Sequence, residues 1–234
     1  MKVLVAAQMA PLRQQLAAAE AKSLAVEEEN LVFHKDMLWA ATKSGDAWMV
    51  RALLQHYPQS LPVDYPASYS GATLLYLASC DGHVRLVELL LGKGADVNLA
   101  CTVGGGTPVH IASQNGHVEV VKLLLGKGAD GNKACGRSGD TPLYAAAWNG
   151  NVGVVEMLLS RGAEPDKSRT DTGGTPLYVA SLIGHQGVVE VLLGKGADPN
   201  KASTPTGGET PLQVAARKGH KDIVEILTRH AAGN

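Results

Sequence analysis

A self-repeat constrains this chain more than any other feature. A Thr-Pro dipeptide followed by an apolar residue recurs at Thr107, Thr141, Thr175 and Thr210, with Thr73-Leu74-Leu75 one step earlier, at spacings of 34, 34, 34 and 35. A period of this size marks small units that bury their apolar faces only by stacking on one another. Nine residues after each of these threonines stands a glycine, at Gly82, Gly116, Gly150, Gly184 and Gly219, and four of the five are followed by His, with Asn151 the exception. Each unit then enters an apolar block such as Val118-Glu119-Val120-Val121-Lys122-Leu123-Leu124-Leu125.

Within a unit, Thr-Pro suits a helix start. The Thr hydroxyl can cap the first amides, and Pro fits the first helical position, where its missing N–H costs nothing. The glycine nine residues on ends this short helix through a left-handed turn, and the Val/Leu block forms a second helix with one apolar face. That helix stops at Gly-Lys-Gly-Ala-Asp, found at Gly92, Gly126 and Gly194 and once as Ser160-Arg161-Gly162-Ala163-Glu164. Paired glycines break the helix there and a Gly-rich connection leads to the next Thr. Two antiparallel helices per unit result.

These residues resemble the ankyrin repeat. Thr107-Pro108-Val109-His110-Ile111-Ala112, then Asn115-Gly116-His117 and Gly128-Ala129-Asp130, match that family's signature, and the resemblance covers Asp36 to about Asn234. It implies an all-α solenoid of helix-turn-helix units, with β-hairpin loops projecting as fingers from one edge and a concave groove formed by the fingers and the first helices. Six units are expected, beginning near Asp36, Thr73, Thr107, Thr141, Thr175 and Thr210, in a repeat domain of residues 35–234. In the first, Asp36 holds the Thr position and Gly45 keeps the register. The 37 residues from Asp36 to Thr73 place a longer finger between Gln59 and Ser70. Tyr76, Tyr144, Tyr178 and Gln213 stand where the family has His, so the family's Thr-to-His hydrogen bond is not expected in those units.

The apparent chemistry dissolves into the repeat. His83, His117, His185 and His220 occupy one equivalent place each, so neighbours are about 10 Å apart and cannot converge on a metal ion. Cys101 and Cys135 are likewise equivalent, beyond the roughly 7 Å Cα reach of a disulfide, and Cys80 reads as a small hydrophobe or a free thiol. The Gly-Lys-Gly segments lack the order of a phosphate loop, and His-Glu-x-x-His, Gly-x-Ser-x-Gly and Cys-x-x-Cys are all missing. No enzyme activity, cofactor or metal is expected. With 21 Lys plus Arg against 22 Asp plus Glu, no long-range field favours nucleic acid or an anionic membrane. No run of about 18 apolar residues offers a membrane span. Sparse, odd-numbered cysteines suit a reducing compartment, cytoplasmic or nuclear.

Function then falls to the positions that differ between units, because the recurring ones serve stacking. By resemblance these are the finger tips and the two residues before each mid-repeat glycine. The latter read Lys43 and Ser44, Cys80 and Asp81, Gln114 and Asn115, Trp148 and Asn149, Leu182 and Ile183, Arg217 and Lys218. Trp148, Leu182 and Ile183 form the candidate apolar hot spot, with Arg217 and Lys218 as a basic end beside it. The bland alternative is that Trp148 folds onto its neighbouring helix and Leu182-Ile183 merely fill space. Tyr69, Arg137, Asp140, Asp171 and Glu209 supply a mixed-charge finger rim suited to protein recognition. The expected function is a scaffold or adaptor holding a protein or peptide partner; the alternative is a regulatory segment of a larger enzyme, channel or ubiquitin-ligase component.

Residues 1–34 depart from the repeat and are rich in Ala, Glu and Leu, favouring a helix from about Pro11. Val5, Met9, Leu12, Leu16, Ala19, Ser23, Val26, Asn30 and Phe33 fall at steps of four and three. This seam suits either a cap on the first repeat or a short coiled coil, so the chain is expected as a monomer or as a dimer through this helix.

Overall fold

The computed structural model describes residues 32–58, 61–66, 71–136, 138–203 and 208–232. The helix and heptad seam expected over residues 1–34 lie outside them up to residue 31, with Phe33 of the seam described as helical and exposed, and the finger residues Tyr69 and Arg137 lie outside them too. Helices alternate in pairs: α1 (32–43) with α2 (Ala47–His56), α3 (Leu74–Cys80) with α4 (Val84–Gly92), α5 (Pro108–Asn115) with α6 (Val118–Gly126), α7 (Pro142–Trp148) with α8 (Val152–Ser160), α9 (Pro176–Ile183) with α10 (Gln186–Gly194), and α11 (Pro211–Lys218) with α12 (Lys221–Ala232). First helices pack on first helices of the adjoining units and second helices on second helices, giving the expected all-α solenoid of six units.

The caps form as the sequence dictates. Thr73, Thr107, Thr141, Thr175 and Thr210 sit in extended backbone and accept from the amide three residues on. Gly116, Gly184 and Gly219 end their helices in the left-handed region. The first unit differs from expectation: helix is already formed at residue 32 and runs unbroken through Asp36, so Asp36 is interior to a helix and does not cap one.

The second helices bury one Val/Leu face each, as in Val120, Val121 and Leu124 of α6 or Val154, Val155 and Leu158 of α8. These join residues of the first helices in a single core running the length of the stack.

Two sets of hydrogen bonds lock the register. At the mid-repeat turn, the ring Nε2 of His83, His117, His185 and His220 donates to the carbonyl of Lys43, Cys80, Trp148 and Leu182 in the preceding unit, at 2.9–3.2 Å. Asn151 makes the same reach with its amide, to Ser113 and Gln114. Each ring lies in the space where the previous unit's glycine has no side chain: a Cβ on Gly82 would stand 2.6 Å from His117 Nδ1. At the opposite edge, Asp64, Asn98, Asn132 and Asp166 accept from the amides of Asp96, Asp130, Glu164 and Asp198 in the following unit.

The fingers are hairpins in connectivity only. Among the described residues they contain single bridges, Pro66 with Thr73, Cys135 with Asp140 and Ser203 with Glu209, and no paired strands. Each Gly-rich tip is closed by a pair of backbone bonds, such as Cys101 N–H to the Gly106 carbonyl at 2.9 Å and Gly105 N–H to the Cys101 carbonyl at 3.2 Å, which is too short a ladder to count as a sheet. Of the longer finger expected between Gln59 and Ser70, residues 61–66 are described, and Leu61 is buried.

Candidate interaction groove

In the units beginning at Thr107, Thr141 and Thr175, the side chain four places in ties its own unit to the next finger. His110 Nε2 donates to Asp140 Oδ2 at 3.2 Å. Arg169 lies over the Tyr144 ring, 5.3 Å from its centroid, and grips Asp171 with two bonds of 3.0 and 2.7 Å. Tyr178 O–H donates to Glu209 at 3.2 Å, and the same carboxylate receives Arg217 at 2.7 and 2.8 Å. In the unit beginning at Thr210, Gln213 closes a capping box with Thr210. This cross-repeat ladder is where the tyrosines replacing the signature His find their partners. The sequence offered only a faint trace of it, the acidic residue before Thr141 and before Thr210.

The ladder sets the charge of the fingers. Burial opposes ionisation of Asp140, yet hydrogen bonds from His110 and Ser138 and the pull of His110 outweigh it and hold the carboxyl at about 2. Glu209 is lowered by its hydrogen bonds from Arg217, and Asp171 by those from Arg169. Burial pushes the Cys135 thiol up to about 11, and that thiol donates to the Gly104 carbonyl of the neighbouring finger at 2.9 Å. Among the described residues no group of three or more His, Cys, Asp or Glu could hold a metal ion.

On this frame stand the candidate contact residues. Trp148 ends α7 with 45% of its surface exposed, its ring tilted against Tyr144 of its own helix at 6.3 Å. On the adjoining α9, Leu182 is half-buried and Ile183 is 36% exposed. The three therefore lie on neighbouring helices, and Trp148 leans on its own helix while keeping a free face. Asn149 is exposed but spends its amide on the Ala145 carbonyl, and Asn115 spends its own on Cys80. Gln114 is exposed. Asp81 pairs with Lys43 at 3.0 Å.

The basic end is narrower than the sequence suggested. Arg217 is committed to Glu209, while Lys218 is exposed and makes no ion pair among the described residues. The candidate positions are thus polar over units one to three and mainly apolar over units four and five, with Lys218 making no ion pair among the described residues at their far end. A shallow trough lined by Arg51, Gln55, Arg85, Glu88 and Lys93 lies apart from them, between α2 and α4.

Comparison with known proteins agrees with this geometry. A family model described as ankyrin repeats (3 copies) matches residues 6–101, 99–169 and 166–234, so its first stretch starts before Asp36. No curated protein matches the chain. Ankyrin repeats mediate protein–protein interaction, and no helix among the described residues is long and apolar enough to cross a membrane. The match spans nearly the whole chain and coincides with the stacked helix pairs, and the chain belongs to the ankyrin repeat family.

Proposed function

We propose that the chain is an adaptor or scaffold that holds a protein or peptide segment in its concave groove, anchored on Trp148, Leu182 and Ile183. The observation that carries this reading is the exposed Trp148 beside Ile183, at positions where the preceding unit places Gln114 and Asn115. Large apolar side chains left in water on a rigid surface cost solubility and repay it only when covered. The helices beneath them are capped and stitched, so little ordering is lost on binding and affinity rests on a few anchors. Lys218 favours a partner with a carboxylate next to its apolar residues, and Gln114 and Asp81 border the polar approach. Affinity capture with the wild type and Leu182→Asp side by side tests the proposal. Proteins retained by the first and lost from the second are the expected outcome, and identical captured sets would remove the groove from the account.

A further inference from the structure

The outer face of the stack, formed by the second helices, carries its charge unevenly. The trough between α2 and α4 encloses about 720 Å³. Ala47 opens it: this residue begins α2 where Val84, Val118 and Val152 begin the next three second helices, and its smaller side chain leaves a hollow beside Leu89. Arg51, Arg85 and Lys93 stand around that hollow, all exposed. None of the three makes an ion pair among the described residues, and Glu88, the one carboxylate of the lining, grips none of them.

The same helical places carry the opposite charge elsewhere. Arg51 stands in α2 where α4, α8, α10 and α12 have Glu88, Glu156, Glu190 and Glu225, and Arg85 stands in α4 where α6 and α12 have Glu119 and Asp222. The corresponding seam at the far end, between α10 and α12, therefore presents Glu190, Asp222 and Glu225. A long polyanion laid along the outer face would be repelled there, so the cations suit a short anion held at one end. Arg85 lies in the first turn of α4 and Lys93 caps its end, about 12 Å along the axis, with Arg51 facing them from α2. Charges so spread do not converge on one inorganic ion. They match carboxylates strung along an extended chain, where alternate residues lie about 7 Å apart.

We propose that this trough binds an acidic segment of a partner protein in extended form, with Arg51 and Arg85 donating to two of its carboxylates and Lys93 to a third. Guanidinium forks meet carboxylates with paired hydrogen bonds, and a hollow lined by one sign of charge concentrates its field. The partner supplies the counter-charge that the lining lacks. The site lies on the outer face and is independent of the concave groove.

Fluorescence anisotropy of a labelled peptide of alternating glutamate and serine, titrated with the full chain, tests the proposal. Saturable binding that weakens as salt rises is expected. Arg51→Glu with Arg85→Glu is expected to weaken it at least about tenfold at an unchanged melting temperature, because other units already carry glutamate at both places. Lys127→Glu with Lys195→Glu alters the net charge equally, at exposed helix ends of the same face, and is expected to bind as the wild type does. Absence of binding by the wild type overturns the proposal, as do equal losses in the two double variants, which would leave only overall charge. Tighter binding of a single-stranded DNA of equal charge overturns it too and would assign the trough to nucleic acid. Leu182→Asp is expected to leave the peptide's affinity unchanged, and a loss there would contradict a site on the outer face.

Discussion

The pairing of a glycine in one unit with a ring in the next is the smallest device that sets the repeat. Gly150 has a φ of +72° and a Cβ there would stand 2.7 Å from His185 Nδ1, so two independent penalties meet at one position. Left-handed backbone alone costs a side chain about 1–2 kcal/mol, and Gly150→Ala is expected to destabilise by at least about 2 kcal/mol in urea denaturation. A second residue-scale consequence concerns acid. The Asp140 carboxyl sits at about 2 in the folded chain, against about 3.9 in an unfolded one. A depressed carboxylate stabilises above its unfolded value, and that contribution drains away as pH falls from about 4 towards 2. Asp140→Asn is therefore expected to lose about 1–2 kcal/mol at neutral pH and only a small part of that near pH 2, read from denaturation curves across that range.

At the scale of the helix pair, the first helices carry their own start signals and the second helices borrow theirs. Thr141 caps α7 by accepting from the Tyr144 amide, and Thr141→Ala is expected to cost about 1 kcal/mol, measured by thermal or chemical unfolding. His117, Asn151 and His185 precede their helices without capping them, because their side chains reach back to the unit before. Thr-Pro starts, glycine stops and Val/Leu faces were legible because each acts within a few residues of itself. The ladder from Tyr144 to Arg169 and from Tyr178 to Glu209 was not, since it joins residues of different units whose facing depends on how the fingers fold. The pairing of Arg217 with Glu209, which narrows the basic end to Lys218, was hidden for the same reason. The fingers also fell short of β-hairpins, because a composition rich in glycine predicts a turn without predicting the length of ladder beside it.

In the whole molecule, stability is a sum over neighbours, and every unit leans on the next through core, ring and loop bonds. This leaves the concave variable positions free to differ without loss of fold, which is why Trp148, Leu182 and Ile183 could be singled out from sequence by where the repeat fails to recur. Their adjacency on α7 and α9 follows from the stacking; their exposure does not, since it depends on how Trp148 leans against Tyr144. The most direct measurement is titration calorimetry of a captured partner against the wild type, Trp148→Ala, Leu182→Asp and Glu156→Lys, the last on the exposed side of α8. The account predicts at least about tenfold weaker binding for both groove variants, wild-type affinity for Glu156→Lys, and melting unchanged in all. Wild-type affinity in both groove variants would contradict it.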